Sequence, residues 1–378
     1  MSNLLFFIMI FLWLALYTYI PFQVTYLSSI NVDSSMIGLI LGLSGASQMI
    51  LRFPFGIITD YIGKCKIFVV LGCAFITLGS AIRLIYPNAN GFLVGGILAG
   101  ISASTWMMYI ILYVSFFDKS QEHSAYSKSL TASVSGMLIA FIIATISYEK
   151  LGMKFLLLIS IISGSIGLVL SLFLKDNIIR KKTNLKDLIL VVKNKRLLFF
   201  SALTIVQQGI QMAAAVAFTL NRIRELGGES YIIGIASILN MVSAIVSAYL
   251  SSKKCINRLG AKFYIPIIFL VLALYCIIVI TTNNIMIIVL SQILSGFSAG
   301  MLAAYLTSES IKEIPIEKKS SAMGFFQASY AIGIFVYPII TGKLVDLYSI
   351  NIAYILLAAS AVLCTILSSI YYKLEKNN

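Results

Sequence analysis

The stretch that decides the fold lies at residues 56–66 and reads Gly-Ile-Ile-Thr-Asp-Tyr-Ile-Gly-Lys-Cys-Lys. It separates two long apolar segments and combines two glycines with one carboxylate and two lysines. Glycine lets neighbouring helices approach closely, and a carboxylate at a helix end can bind a neighbouring helix N-terminus or a cation. We therefore predict a short loop between two helices, in which Asp60 makes a contact at the helix ends.

The segments on either side of this loop are apolar, and so is most of the chain. Hydrophobic residues make up 60% of the 378 residues and charged residues only 11%, whereas a soluble domain has about 25% charged residues. A bilayer core of about 30 Å needs about 20 apolar residues per helix. We predict an all-α membrane protein with twelve transmembrane helices. Their predicted ranges are 4–28, 35–58, 67–86, 91–117, 127–147, 152–175, 197–220, 231–251, 263–283, 285–307, 320–342 and 350–372.

Lysine and arginine are distributed unevenly among the predicted loops. One alternate set of loops, together with the C-terminus, contains 21 of them, and the opposite set contains 6. Because cytoplasmic loops are enriched in Lys and Arg, this asymmetry predicts a multi-pass protein of the cell inner (plasma) membrane with both termini in the cytoplasm. The net charge of +14 is then an orientation signal, and no nucleic-acid partner is predicted.

The two halves of the chain resemble each other. Residues 95–104 and 291–300 share Ile, Leu, Gly, Ser and Ala at an offset of 196 residues, and Gly136 corresponds to Gly333 at an offset of 197. The halves have the same orientation because each contains an even number of helices. We predict two pseudo-symmetric six-helix bundles, at residues 1–175 and 197–378. A basic cytoplasmic linker at residues 176–196 joins them.

The loop quoted above resembles the signature of the major facilitator superfamily, in which Gly, three residues, Asp, a basic residue, one residue, Gly and a basic pair follow one another. Four residues match this signature: Gly56, Asp60, Gly63 and Lys64. Tyr61 stands where the family usually has Arg, and Cys65 interrupts the basic pair. The resemblance implies two parallel repeats of six helices around a central site with alternating access.

The same resemblance implies a gate at this loop. Asp60 would contact the start of helix eleven, near Ser320 and Ser321, when the cytoplasmic side is closed. Arg52 lies inside helix two, close enough to the cytoplasm to extend towards it or to pair with Asp60. We interpret Arg52 as part of the gate or of helix packing, and the alternative is direct contact with the substrate.

In this fold, helices one, four, seven and ten line a cavity near the membrane midplane. Polar side chains on these helices should face inward, because amides are costly in hydrocarbon unless their hydrogen bonds are satisfied. Gln207 and Gln211 are four residues apart and share one helix face. The predicted cavity residues are Tyr17, Tyr19, Gln23, Ser102, Thr105, Trp106, Tyr109, Gln207, Gln208, Gln211, Ser298 and Tyr305. The alternative for each of them is packing against a neighbouring helix.

Charged residues lie at the edges of the predicted membrane core. All 14 Asp and Glu residues fall in loops or near helix ends, and Arg52 is the only clearly intramembrane charge in this assignment. A cavity with aromatic rings and amides but no fixed charge suits a neutral, amphipathic or weakly cationic organic solute. If transport is driven by protons, the coupling carboxylate is peripheral. The candidates are Asp33, Asp60, Glu309 and Asp346.

The predicted function is secondary active transport of a small organic solute by alternating access. Overall similarity to bacterial efflux members favours export. Helix five, however, lacks the Gly-Pro-x-x-Gly-Gly pattern of many drug–proton antiporters, and Gly96 stands where many members have Arg. Standard drug–proton antiport is therefore not favoured. An uptake facilitator or symporter for a small nutrient, and a membrane sensor without transport, remain alternatives.

An enzyme is not predicted, because acid–base, nucleophilic or metal chemistry inside a membrane needs clustered His, Asp, Glu or Cys. No cofactor and no metal site are predicted either. The predicted partners are a small-molecule substrate and the lipid bilayer, and a proton or another coupling ion is left open. A monomer is sufficient, because the cavity lies within one chain.

Overall fold

The computed structural model describes residues 1–62, 64–118, 121–175, 193–251, 260–314 and 319–375. Within these ranges the regular secondary structure is helical, and eleven helices are long and apolar enough to cross a membrane. One of them, Lys128–Leu172, has 45 residues, about twice the length that a bilayer requires. Its helix is broken at Gly152, where φ is 67°, a value that favours glycine. The predicted all-α membrane fold with twelve transmembrane helices is therefore confirmed.

We number these membrane-crossing segments as spans one to twelve in chain order. Span one consists of Ser2–Tyr17 and Ile20–Ser29, span two of Ser34–Ile62, span three of Lys66–Ile85, and span four of Ala89–Ser104 and Trp106–Val114. Spans five and six form Glu122–Leu172, and span seven comprises Lys195–Ile210, the π-helix Gln211–Phe218, and Thr219–Glu225. Spans eight to twelve are Ser230–Ser251, Ala261–Thr281, Ile285–Ser310, Lys319–Leu347 and Ile350–Glu375.

Asparagine side chains fix the start of three of these helices. The Asn88 carboxamide oxygen accepts from the Gly91 N–H, and Asn194 caps span seven in the same way. Asn284 accepts from two backbone N–H groups at the start of span ten. Such caps satisfy N–H groups that have no partner within the helix, so polar residues between the apolar runs set the helix boundaries.

The chain divides into two compact units. One contains Met1–Ile30 and Leu43–Asn184, and the other contains Asn31–Gly42 and Leu185–Asn378. The beginning of span two thus belongs to the second unit, where the Asp346 carboxylate accepts from the backbone N–H groups of Ser34 at 3.0 Å and Ser35 at 2.6 Å. This contact is a helix cap supplied by span eleven.

The division into bundles at 1–175 and 197–378 with a linker at 176–196 stays a prediction. Most of that linker, residues 176–192, lies outside the described ranges. The last two residues of the predicted linker are already helical, because span seven begins at Lys195.

The internal repeat recurs in the packing of the helices. In the first unit, Gly100 of span four packs on span two, and a Cβ at Gly100 would lie 2.9 Å from the Cα of Ser44. In the second unit, Gly296 of span ten packs on span eight, and its Cβ would lie 2.8 Å from the carbonyl carbon of Asn240. Both pairs are related by the offset of 196 residues. Small residues allow such close helix contacts in membranes, so the two bundles use the same packing.

Candidate functional site

Three of the four predicted cavity spans contain an irregular segment. Span one is interrupted at Thr18 and Tyr19, between Ser2–Tyr17 and Ile20–Ser29. Span four is interrupted at Thr105, and span seven changes to a π-helix at Gln211. Irregular backbone at membrane depth occurs where protein groups satisfy it, and it is frequent at functional sites. Tyr19, Thr105 and Gln211, all predicted cavity residues, lie at these interruptions.

An aromatic cluster, formed by Trp13, Tyr17, Trp106, Tyr109 and Phe141, occupies the first unit. The ring centroids of Trp13 and Trp106 are 5.0 Å apart in an edge-to-face arrangement, and those of Trp13 and Tyr17 are 5.5 Å apart. Tyr109 and Phe141 extend the cluster at 6.1 Å from Trp106 and 6.0 Å from Tyr17. The buried indole N–H of Trp13 has no hydrogen-bond acceptor in the described part of the chain, so the cluster can donate one hydrogen bond.

The hydroxyl groups predicted on span four are engaged within the bundle. Ser102 Oγ donates to the carbonyl of Gly72 at 2.7 Å, and Tyr109 OH donates to the carbonyl of Val69 at 2.7 Å. Thr105 Oγ1 donates to the carbonyl of Ser102 at 2.7 Å. These bonds favour the alternative of helix packing for the three hydroxyls, while the half-buried ring of Trp106 belongs to the aromatic cluster.

The corresponding residues of span ten make similar contacts. Ser298 Oγ donates to the carbonyl of Leu294 at 2.8 Å and lies 3.5 Å from the carbonyl of Ile268 on span nine. The ring of Tyr305 stacks on Tyr264 of span nine with centroids 5.5 Å apart. Helix packing is therefore the favoured role for both predicted residues.

An amide network, formed by Gln211, Asn240, Gln292 and Ser295, joins spans seven, eight and ten of the second unit. Gln211 Nε2 donates to Asn240 Oδ1 at 2.9 Å, and Ser295 Oγ donates to Gln211 Oε1 at 2.9 Å. Asn240 Nδ2 donates to Gln292 Oε1 at 3.0 Å. Gln292 Nε2 donates in turn to the carbonyl of Ala215 at 3.1 Å, within the π-helix. The network therefore holds the irregular part of span seven against spans eight and ten.

The members of the network differ in exposure. Asn240 and Gln292 are buried, whereas Gln211 is half-buried. On the helix before it, Gln207 is buried and Gln208 is half-buried, and Gln23 is buried in span one. A carboxamide both donates and accepts, so Gln211 is the network side chain best placed to exchange a hydrogen bond with a solute.

Asn240 and Gln292 were not among the predicted site residues. Asn240 lies on span eight, outside the four cavity spans. Gln292 is on a cavity span, and it occupies the position that corresponds to Gly96 in the first half. An amide that replaces glycine between two repeats is a signal that could have identified it.

Arg83 of span three is buried among aromatic rings. Its side chain is 1% exposed, and its guanidinium carbon lies 4.4 Å from the ring centroid of Tyr19 and 5.9 Å from that of Phe92. Arg83 is one of the six Lys and Arg residues assigned to the side opposite the cytoplasm. The structure places it in the last turn of span three with its side chain buried, which the sequence does not predict. Arg83 is two residues from the end of its helix, where a long side chain usually extends into the interface, but Tyr19 and Phe92 enclose it.

A second buried arginine, Arg196, forms an ion cluster in the second unit. Its guanidinium bonds Glu309 and Glu375 and lies 3.1 Å from Glu313 Oε1. Tyr372 OH donates to Glu309 Oε2 at 3.2 Å. The cluster ties together spans seven, ten and twelve, and it contains Glu309, one of the predicted coupling carboxylates. Arg196 is the last residue of the predicted basic linker. It was assigned there because a charged residue at the end of a basic run is usually solvated.

The predicted gating residues are only partly described. Arg52 is half-buried and donates to Gln48 Oε1 at 2.6 Å, and Lys64 is exposed. Gly63 lies outside the described residues, as do the surroundings of Gly56 and the side chains of Asp60, Ser320 and Ser321. The predicted contact between Asp60 and helix eleven therefore stays a prediction.

Comparison with known proteins identifies the family. The family model described as Major Facilitator Superfamily matches residues 5–313 and 255–378. The chain belongs to the major facilitator superfamily. The loop at residues 56–66 predicted membership of this superfamily, and the match of the family model along the chain confirms it. The protein is a multi-pass member of a family of membrane transporters.

Two transport proteins have sequences similar to this chain. The uncharacterized MFS-type transporter MJ1560 of Methanocaldococcus jannaschii is 24% identical over 371 residues, which cover 94% of this chain and 93% of that protein. The inner membrane transport protein YajR of Escherichia coli is 26% identical over 168 residues, which cover 43% of this chain and 36% of YajR.

Solved structures of two transporters have a fold similar to that of this chain. The nucleoside transporter NupG superposes with a TM-score of 0.81 at 15% identity, covering 98% of this chain and 99% of NupG. A bacterial homologue of the human lysosomal transporter Spinster superposes with a TM-score of 0.74 at 11% identity, covering 100% of this chain and 96% of the homologue. At these identities the likeness concerns the fold alone.

Proposed function

We propose that this chain moves a small organic solute across the inner membrane by alternating access, with both termini in the cytoplasm and with export as its direction. Membership of the superfamily supports transport. The observation that carries the proposal is that the backbone of spans one, four and seven is irregular at Tyr19, Thr105 and Gln211. Transporter sites are typically built at such interruptions.

The two units offer different contacts to a solute. The aromatic cluster supplies ring faces and the indole N–H of Trp13, and ring faces bind apolar or cationic groups. The amide network supplies carboxamides that donate and accept hydrogen bonds. Ring faces suit the apolar surface of a solute and carboxamides suit a polar group, so the proposed solute is an amphipathic organic molecule.

Gln211 connects binding to helix movement in this proposal. A solute that hydrogen-bonds Gln211 would replace its bond with Asn240 or Ser295, so little hydrogen-bond energy is lost on binding. The exchange loosens the contact between span seven and spans eight and ten. A ligand shifts a conformational equilibrium only by its difference in affinity between the states, and this exchange would supply such a difference.

The ion cluster around Arg196 is the proposed place for ion coupling. Glu309, Glu313 and Glu375 surround Arg196, and Lys312 Nζ lies 3.6 Å from Glu309 Oε1. Three carboxylates thus face two cations, so the cluster carries a net negative charge that a coupling cation would balance. The Glu309→Gln variant tests this role: if proton-driven transport persists in it, coupling at this cluster is excluded.

The experiment is an accumulation assay in cells that lack their main efflux pumps. Cells with and without the protein receive a panel of dyes and drugs, before and after an uncoupler. Export predicts lower accumulation with the protein, loss of that difference after the uncoupler, and a weaker effect in Gln211→Ala. Gln121→Ala is the matched control, because Gln121 is an exposed amide outside the network.

Two other outcomes would support the alternative functions, which are an uptake facilitator and a membrane sensor. Equilibration of a radiolabelled nutrient in either direction without a gradient would indicate an uptake facilitator. Ligand binding without any flux would indicate a sensor and would contradict the proposal.

A further inference from the structure

The side chain of Arg83 has donors that nothing in the described chain accepts. Its Nε and Nη1 atoms are buried and have no hydrogen-bond partner there, and these two atoms carry three N–H groups. The hydroxyl of Tyr19 interacts with the same guanidinium. No ion pair of Arg83 is found within the described ranges. A buried charge without a hydrogen-bonded counter-charge is costly, so this arrangement needs an explanation.

Contacts with aromatic rings do not remove this cost. Tyr19 lies against the face of the guanidinium, where cation–π attraction operates. The N–H groups, however, point outward in the guanidinium plane, so a ring on the face cannot accept from them. The remaining donors call for acceptor atoms at the edges of that plane.

Two glycines leave room around the guanidinium. A Cβ at Gly95 of span four would lie 2.6 Å from Arg83 Nε and 2.8 Å from its Cζ. A Cβ at Gly79 would lie 3.6 Å from Arg83 Nη1. The guanidinium therefore fits in a slot that any side chain at position 95 would fill.

Tyr19 covers this slot and stands at the interruption of span one. It follows Thr18, and the second helix of the span begins at Ile20. A bend of span one at this point would move the Tyr19 ring away from Arg83. The slot thus lies beside an interruption of span one, and a movement of span one at this point would give a solute a way to reach the donors.

We propose that Arg83 binds an anionic oxygen group, such as a carboxylate, of the transported solute. The inference rests on the proposed function, because it assigns a chemical class to the solute of that site. An acceptor with a full negative charge satisfies the free N–H groups and neutralises the buried cation, as charge-assisted hydrogen bonds do. The proposed solute is therefore an organic acid or a zwitterion, and not the neutral or weakly cationic solute that the sequence predicts.

The experiment measures equilibrium binding to the purified full-length protein in lipid nanodiscs at constant ionic strength. The probes are benzoate, its neutral analogue benzamide, and inorganic phosphate, and the readout is the dissociation constant from thermal-shift titration. The wild-type protein is expected to bind benzoate at least about tenfold more tightly than benzamide. Arg83→Gln is expected to weaken benzoate binding by about tenfold or more, since truncating one partner of a buried charge pair has effects of this size.

Two further variants keep the test decisive. Gly95→Ala retains the arginine but fills the slot, so it should also weaken benzoate binding, and it replaces Arg83→Gln if that variant does not fold. Arg224→Gln removes an exposed arginine and should leave benzoate binding unchanged. Stronger binding of phosphate than of benzoate would retain the anion site and assign it to phosphorylated solutes.

The proposal is overturned if the wild-type protein binds benzoate and phosphate no better than benzamide. It is also overturned if Gly95→Ala and Arg83→Gln bind benzoate as the wild type does. Binding does not depend on flux, so a negative result here leaves the accumulation assay intact. Anion binding without any transport would instead refute the proposed function.

Discussion

The two units share their packing but differ in their polar chemistry. Gly100 and Gly296 make the same close helix contact in each unit, at the same offset. At that offset, the network residues Asn240, Gln292 and Ser295 correspond to Ser44, Gly96 and Ala99. The first unit has an aromatic cluster and a buried arginine without a carboxylate partner in the described ranges. The second unit has an amide network and a buried arginine that pairs with carboxylates. The repeated positions thus support the fold, and function is to be sought in the positions that are not repeated.

The largest effect on transport and on the free energy of unfolding is expected from Gln292→Leu, which removes the central amide of the network in the second unit. The change removes the side-chain bonds to Asn240 Nδ2 and to the Ala215 carbonyl, although Asn240 Nδ2 keeps its bond to the backbone carbonyl of residue 292 at 3.3 Å. Loss of a partner by a buried polar group costs about 1–3 kcal/mol. We expect transport to fall about tenfold or more, together with a lower free energy of unfolding. Initial transport rates per molecule in the membrane, with unfolding in mixed micelles, would measure both.

The control for this prediction is a Gln-to-Leu change at an exposed position outside the amide network. Gln121→Leu removes an exposed amide and should have neither effect. Wild-type transport by Gln292→Leu would mean that the amide network has no part in the solute pathway.

A smaller effect is expected from adding one methyl group at the repeated glycines. Gly100→Ala and Gly296→Ala each force a Cβ to within 3 Å of backbone atoms in the facing helix, and overpacking of this kind costs about 1–3 kcal/mol. We expect similar losses of unfolding free energy in both variants. Transport should fall further in Gly296→Ala, because it displaces Asn240. Equal transport losses in both would remove the functional distinction between the units.

The contact between the two tryptophans is expected to contribute less to the free energy of unfolding than the packing at the two glycines. Trp13 and Trp106 are the two tryptophans of the chain, and an edge-to-face pair contributes about 0.5–1.5 kcal/mol. Trp106→Phe should retain part of this energy. Trp13 is then the one tryptophan in the chain, and a bound solute should change its fluorescence emission. Fluorescence titration of Trp106→Phe measures this directly, and unchanged emission during saturating transport would exclude the aromatic cluster from the site.

The smallest effect is expected from Tyr109→Phe. It removes the hydrogen bond to the carbonyl of Val69 and the weaker contact with Cys73 Sγ at 3.3 Å, both on span three, so the free energy of unfolding should fall by about 1 kcal/mol. Unfolding in mixed micelles would measure this loss. A much larger loss would mean that Tyr109 supports more than one helix contact.

Much of the fold could be predicted because the deciding signals are local. A run of about 20 apolar residues specifies a span without reference to its neighbours, and the break between spans five and six was anticipated by ranges ending at 147 and beginning at 152. The π-helix Gln211–Phe218 was not predicted, because it contains neither Pro nor Gly and retains an apolar sequence. Its irregularity depends on tertiary contacts, among them the bond from Gln292 to Ala215.

The site could be predicted only in part, because sequence does not say which face of an apolar helix meets which neighbour. Gln211 was predicted as an inward-facing amide, and it does join a buried network. Asn240 and Gln292 were missed, since the partners of a side chain on another span are not encoded in spacing. The burial of Arg83 was not predicted, because it depends on the rings of Tyr19 and Phe92, which belong to two other spans.

The most direct test of the central claim is an untargeted comparison of metabolites inside and outside cells that produce either the wild-type chain or Gln211→Ala at equal levels. If the chain transports a small organic solute through a site that includes Gln211, at least one solute should change its distribution in cells with the wild-type chain. This change should be largely lost with Gln211→Ala and preserved with Gln121→Ala. Identical solute distributions with the wild-type chain, with Gln211→Ala and without the protein would contradict the account.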